Sequence, residues 1–304
     1  MADKPPPTTR PAAEPKAKRE PQVTAERAPK TKPEVVQPLG LPPPPAWWKT
    51  LRADPPPAAR LVLGLVMIFA LGFAWWFVTR GDEPIVSPAK LPPPGPSFHE
   101  FEVPDLVDSI VDSLERVFLG VGLAAIVGVS LGLLAGANRA AAALLAPLVI
   151  FLRSIPMGAL LPLMLILFGI GQEQRVMFLF FALVAFVFSD TMKAVALVPE
   201  RYVETALTLG ASRLQIIRKV LVPLAVPDIV TSIRFQVGLA LGYIMLAEDI
   251  GVDHGLGHAI TTSQRLGKSG NVYVLLFIIA GVAFGLDLLL RTIQRGVFAW
   301  RRDL

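Results

Sequence analysis

Polar or ionisable residues and one proline interrupt three of the long apolar runs of this sequence. They are Arg153, Ser154, Pro156, Asp190, Arg234, Gln236 and Glu248. An arginine at the centre of a membrane-spanning helix costs about 2.5–3.5 kcal/mol on insertion scales, so its side chain should face the helix-bundle interior or an aqueous path. A proline nearby frees backbone carbonyl groups that need the same surroundings. These residues are therefore candidates for a translocation pathway or gate.

Each of the charged candidates has a second interpretation. Arg153 fits equally an arginine whose stem lies in the membrane while its charged head reaches the interface. Arg234 fits equally a buried ion pair with an acid such as Asp190 or Asp228. Glu248 ends its apolar run, where it fits an outer gate, a contact with an external partner or a solvated helix end. The sequence leaves a pathway role and a structural role open for all of them.

Enzymatic chemistry finds little support in the sequence. His254 and His258 are four apart, but two glycines nearby weaken a helix there, so we expect no metal site. The segment 267–269, Gly-Lys-Ser, resembles the end of a phosphate-binding loop, but Thr262 stands where that loop requires glycine. No nucleophile–base pair is evident. We therefore expect a chain that is not an enzyme and binds no cofactor itself.

The composition is that of a polytopic membrane protein. The 304 residues are 53% hydrophobic, with a mean hydropathy of +0.55. Cysteine is absent, which excludes disulfides and thiolate chemistry. The net charge of +5 is unevenly distributed and does not by itself indicate nucleic acid. The first apolar run starts only at Leu61, so we expect no signal peptide.

The apolar runs predict an all-α protein with six transmembrane helices in a lipid bilayer. The helices are predicted at 61–79, 106–137, 140–171, 176–198, 224–247 and 272–290. Around them we predict a disordered, proline-rich cytoplasmic tail at 1–60, a proline-rich external loop at 80–105, a helical core at 106–295 with a polar segment at 200–223, and a cytoplasmic tail at 296–304.

The topology depends on the segment 140–171. As one straight helix it would be about 45 Å long, against a hydrocarbon core of about 30 Å. Clustered basic residues place the segment 200–223 and the C-terminal end in the cytoplasm by the positive-inside rule. With a cytoplasmic N-terminus, 140–171 must then cross once. We predict a single crossing, broken or strongly tilted near Pro156.

Two local patterns predict how the spans pack. Small residues recur every fourth position at Gly120, Ala124, Gly128, Gly132 and Gly136. They form a ridge that lets another helix backbone approach closely. Asp190 and Lys193 are three apart on one helical face, which favours a local ion pair.

The segment Glu204–Pro223 is polar and basic and lies between two apolar runs. Gly210 can end a first helix in a left-handed turn, and Ser212 can cap a second helix. Pro223 is expected to close the unit before the next apolar run. Such an elbow suits insertion into a groove on a partner, whereas the plainer interpretation is a basic cytoplasmic loop.

This segment resembles the EAA signature of bacterial ABC-importer permeases, E-A-A-x3-G-x9-I-x-L-P, and matches its spacing throughout. The residues that the resemblance assigns to ATPase coupling are Glu204, Thr205, Ala206, Gly210, Ala211, Ser212, Val220 and Pro223. Thr205 replaces the second residue of the signature, and Val220 and Val222 replace isoleucine and leucine. In that family the segment forms short cytoplasmic helices that dock into a cleft on an ATPase subunit.

A narrower resemblance is to the nitrate/sulfonate/taurine-type permeases. It covers about 107–295 and rests on the segments 152–156, 168–171, 208–212, 247–248 and 255–257. It implies a type I ABC importer permease fold in the bacterial inner membrane and a small, anionic solute. It also implies a homodimer of permeases, two ATPase subunits that carry ATP and Mg, and an external binding protein. The alternatives are the same importer with another cargo, and an ATP-independent channel or scaffold.

Overall fold

The computed structural model describes residues 54–81, 84–99, 101, 103–251 and 254–301. Most of the predicted tail, residues 1–53, lies outside this part of the chain. The chain divides into units Met1–Leu61 and Val62–Leu304. In the first unit, Arg60 pairs with Asp54 at 3.0 Å. The packing described below lies within the second unit.

The described residues form helices and contain no strand, which confirms the predicted all-α class. The helices are α1 Pro57–Val78, α2 Pro94–His99, α3 Leu106–Ala137, α4 Arg139–Ser154, α5 Met157–Phe168, α6 Gln172–Ala196, α7 Glu200–Thr208, α8 Arg213–Ile216, α9 Val222–Ala247, α10 Leu256–Arg265 and α11 Ser269–Val297. A π-helical turn, Ile217–Leu221, joins α8 to α9. Among the residues that the structure describes, five helical segments are long and apolar enough to cross a membrane, and the bent pair α4–α5 makes six.

The small-residue ridge of α3 packs against α6, as the sequence predicts. A Cβ atom at Gly132 would lie 2.6 Å from the Cβ atom of Thr191 and 2.8 Å from the carbonyl oxygen of Phe188. Gly120 meets Leu179, and Gly136 meets Val195. Since residue numbers rise together on both helices, α3 and α6 run parallel.

Parallel packing of α3 and α6 requires the chain between them to return from one end of the bundle to the other. Helices α4 and α5 make this return, with 16 and 12 residues and a bend of 99° between them. At 1.5 Å per residue the pair spans about 28 Å from end to end, close to the thickness of the hydrocarbon core. The break lies at Ile155–Pro156, where the residue before a proline is driven into extended conformation. The break predicted near Pro156 is thus present.

The core lies where α3, α5, α6 and α9 meet. Phe178 and Leu183 of α6 are buried there with Val117 of α3 and with Leu241 and Ile244 of α9. Most large apolar side chains of α1 are exposed instead. The end of α1 is held by Trp75, whose indole N–H donates to the carbonyl of Pro92 at 3.0 Å and whose ring stacks on Phe277. The core helices therefore form the frame that positions the polar groups below.

Candidate functional site

The segment 200–223 folds as the predicted elbow. Helix α7 ends at Thr208, and Gly210 adopts a φ of 77°. Ser212 caps α8 in a capping box: its Oγ accepts from the N–H of Gln215 at 3.4 Å, and its own N–H donates to the side chain of Gln215 at 2.8 Å. The left-handed glycine and the N-cap were both readable in the sequence because they are local signals.

The prediction that Pro223 closes this unit is wrong. The helix continues from Arg213 through the π turn and Pro223 to Ala247, over 35 residues. In the π turn the N–H of Val222 donates to the carbonyl of Ile217, five residues back. The wider turn lies directly before the proline, and Pro223 stands in the first turn of α9, where a proline is tolerated. The second helix of the elbow is therefore continuous with α9.

The elbow presents polar and apolar side chains to solvent. Glu204 and Thr205 are exposed, whereas Ala206 and Ala211 are half-buried. Leu209 and Leu214, on either side of the bend, are 81% and 61% exposed. Large leucines this exposed, next to a well-defined turn, mark a surface suited to a protein partner.

A buried charge network joins the helices at the opposite end of the bundle. Arg116 Nη1 lies 2.6 Å from Glu248 Oε1, and the two side chains are 7% and 0% exposed. Ser113 Oγ donates to the same carboxylate at 2.8 Å. The N–H of Gly257 donates to its other oxygen at 3.0 Å. Glu248 is therefore not a solvated helix end, because these three groups hold its carboxylate inside the protein. Its role in an outer gate stays a prediction.

The network also fixes the chain around α10 and the start of α6. Arg116 Nε donates to Gln172 at 2.9 Å, and Arg175 Nη2 donates to the carbonyl of Gly251 at 2.7 Å. Gly255 has a φ of 147°, and a Cβ atom there would lie 2.7 Å from the Glu248 carboxyl carbon. Sequence reasoning missed Arg116. The available signal was its place directly before the charge-free stretch 117–137.

A second polar contact joins α6 to α9 within the spans. Asp190 Oδ2 accepts from Ser232 at 2.8 Å and from Gln236 Nε2 at 3.4 Å. The predicted pair with Lys193 is present at 4.0 Å, with both side chains partly exposed. Asp190 and Gln236 were predicted as pathway residues, and the structure brings them together.

Arg234 joins α9 to α11. Its Nε lies 2.8 Å from Asp287 Oδ1, and its Nη1 donates to Gln294 at 2.9 Å. The predicted partners, Asp190 and Asp228, are wrong: Asp228 pairs with Arg301 at 3.0 Å instead. The partner depends on how α11 packs, which local spacing cannot reveal.

The bend between α4 and α5 carries the other pathway candidates. Arg153, Ser154 and Pro156 are exposed in the single chain. The guanidinium of Arg153 lies over the ring of Phe186, 4.7 Å from its centre, in a cation–π contact with α6. Ser154 Oγ donates back to the carbonyl of Ile150. Arg153 thus contacts an aromatic ring of α6, whereas Arg234 contacts Asp287 of α11. The pathway role of both arginines stays a prediction.

His258 of α10 and His254 of the preceding loop are the two histidines considered above as metal ligands. His258 Nε2 lies 3.2 Å from Thr262 Oγ1. Over the residues that the structure describes, which exclude Asp253, no group of three potential ligands is close enough to hold a metal ion.

Comparison with known proteins agrees with this architecture. Residues 128–299 match the family model described as binding-protein-dependent transport system inner membrane component. The chain belongs to this family, the permeases of ABC importers. The predicted recognition and fold are thereby confirmed.

Curated relatives extend the match to most of the chain. The taurine transport system permease protein TauC of Escherichia coli is 29% identical over 82% of this chain and 93% of its own. A putative ABC transporter permease of Methanocaldococcus jannaschii is 34% identical over 65% of this chain and 74% of its own. The bicarbonate transport system permease protein CmpB of Synechococcus elongatus is 32% identical over 62% and 68%.

A solved structure shares the fold. An inward-facing conformation of the MetNI methionine ABC transporter contains a chain with a TM-score of 0.58 and 23% identity. The match covers 63% of this chain and 95% of that one. At this identity the likeness concerns the fold alone.

Proposed function

We propose that this chain is the membrane-spanning subunit of an ATP-driven importer that works by alternating access. One observation carries the proposal: the second helix of the exposed elbow, from Arg213 onward, continues without a break into the core helix α9. A partner that moves the elbow therefore moves α9. Two separate ATPase subunits bind ATP and Mg and hydrolyse the ATP, whereas this chain hydrolyses nothing.

The side-chain contacts of α9 support transmission of that movement through the bundle. Ser232 and Gln236 tie α9 to α6 through Asp190. Arg234 ties it to α11, and Glu248 ties it to α3 and α10. A helix held at three levels moves with its neighbours, so closure of an ATPase dimer rocks the core as a body. Such a rearrangement is a bistable change biased by a ligand bound elsewhere.

The assembly we propose holds two copies of this chain, two ATPase subunits and an external binding protein. We propose that the elbow and both termini lie on the cytoplasmic side of a bacterial inner membrane, since clustered basic residues favour that side. The buried network of Arg116 and Glu248 then lies at the outer side. The family name supports the binding protein, since it describes binding-protein-dependent transport.

The cargo we propose is a small anion of the sulfonate or bicarbonate kind. The relatives named for taurine and bicarbonate transport support it. Arg153 supplies an exposed positive charge at the bend of α4 and α5, which suits contact with an anion. The competing proposals are another small metabolite and an ATP-independent channel or scaffold.

Crosslinking from the elbow tests the proposal. The chain has no cysteine, so a single cysteine at Ala206 labels the elbow alone. A short bifunctional crosslinker in native membranes should capture an ATPase subunit, identified by mass spectrometry. A matched cysteine at Ser87, in the predicted external loop, should capture none. A reactive cysteine at Ala206 that captures no ATPase would favour the channel or scaffold.

A further inference from the structure

An apolar hollow lies directly behind the elbow. Its volume is about 680 Å³, and it opens between the end of α3, helix α7 and the π turn. Leu133 and Leu134 line it from α3, Leu207 from α7, and Ile217 and Leu221 from the following turn. A hollow of this size accommodates a substantial apolar ligand. Left to water, its lining would form an unfavourable apolar surface.

Two arginines stand at this hollow. Arg139 begins α4, and Arg213 begins α8; both are exposed and both line the cavity. Within the part of the chain that the structure describes, neither pairs with an acidic side chain. Arg139 also lies at the N-terminus of a 16-residue helix, where the helix dipole favours an anion. The hollow therefore combines an apolar interior with unpaired positive charge.

We propose that this hollow binds an anionic phospholipid. One acyl chain occupies the apolar interior, and the headgroup phosphate lies between Arg139 and Arg213. Basic pockets beside transmembrane helices recognise anionic headgroups in this way. The positive charge of the two arginines favours an anionic lipid over an apolar protein side chain, because an apolar side chain would leave both arginines unpaired. The lipid comes from the leaflet that faces the elbow, which is the cytoplasmic one under the proposed function.

A bound lipid would contact the elbow on the side that faces α3. Leu207 of α7 and Ile217 of the π turn both contact the hollow, so its occupant fills the space between the elbow and α3. Anionic lipid content would then set how firmly the elbow is held. This role is independent of the cargo, so the lipid proposal and the proposed function can fail separately.

Lipid quenching in nanodiscs tests the site. Leu134→Cys at the lip of the hollow carries a bimane fluorophore, made specific by the absence of other cysteines in the chain. Phosphatidylglycerol with brominated acyl chains should quench the fluorophore more than brominated phosphatidylcholine at equal mole fraction. Arg139→Gln with Arg213→Gln should lower the preference by about fivefold for each arginine.

Two further variants separate the effect of the arginines from that of the apolar interior. Arg218→Gln with Lys219→Gln removes the same charge from exposed positions outside the hollow and should keep the preference. Leu207→Trp should fill the hollow and reduce quenching by both lipids while the arginines remain. Equal quenching by the two lipids, absence of quenching, or a preference that survives loss of both arginines would overturn the proposal.

Discussion

Arg116 and Glu248 form a buried ion pair of 2.6 Å between α3 and the end of α9, 132 positions apart in the chain. Both side chains are almost fully enclosed, and Ser113 and Gly257 occupy further hydrogen-bonding positions of the carboxylate. A buried pair of this kind fixes geometry more than it adds stability, because desolvation offsets much of the attraction. We interpret it as the clasp that makes α3, α9 and α10 move together at this end of the bundle.

The first prediction concerns this clasp. Glu248→Gln removes the buried charge partner of Arg116, which keeps only the partly exposed Asp112 at 3.4 Å. The change should cost about 3–5 kcal/mol, measured as lower thermal stability of the purified chain. The double variant Arg116→Met with Glu248→Leu removes both charges and should recover much of that loss. A Glu248→Gln chain as stable as the unmodified one would contradict the buried pair.

The second prediction concerns the ridge of α3. Gly132→Ala places a Cβ atom 2.6 Å from the Cβ atom of Thr191 and should force α3 and α6 apart, at about 1–3 kcal/mol. Gly122→Ala on the same helix meets nothing within 4 Å and is the matched control. Thermal unfolding of both variants in detergent measures the difference. Equal stability would show that the two helices do not pack this closely.

The third prediction concerns the turn of the elbow. Gly210→Ala forces alanine to a φ of 77° and should cost about 1–2 kcal/mol locally. Because the bend sets the angle between α7 and α8, transport in vesicles should fall while membrane insertion stays normal. Gly267→Ala carries similar strain at a φ of 71°, also in open space, and should leave transport near normal. Equal transport in the two variants would show that the bend at Gly210 has no special role in transport.

The fourth prediction concerns the π turn. An alanine inserted after Leu221 lengthens the α-helical part of the segment and should rotate the elbow by about 100° relative to α9. Transport should be lost although the chain still inserts. Deleting Val220 in the same variant removes the extra residue of the π turn, restores the residue count and should restore transport. Transport that survives the insertion alone would show that the elbow and α9 are not rigidly joined.

Local chemistry explains what the sequence predicts well. The bounds of α3, the break before Pro156, the left-handed Gly210 and the cap at Ser212 each depend on a few adjacent residues. Partners distant in the chain were missed or wrong. Arg234 pairs with Asp287 because α11 packs beside α9, which spacing within one helix cannot show. Pro223 does not end the helix, and the sequence did not indicate the π turn that precedes it.

We propose that ATP-driven movement of the elbow passes to α9 as a rigid unit. Spin labels on a single cysteine at Ala206, with a cysteine-free ATPase, report the distance between the two elbows of the assembled transporter by pulsed electron resonance. A second pair of labels at Gly238, exposed on α9, reports the core. If the coupling is rigid, trapping with ATP shortens the Ala206 distance and shifts the Gly238 distance with it. An unchanged Ala206 distance, or one that shortens while the Gly238 distance stays fixed, would contradict it.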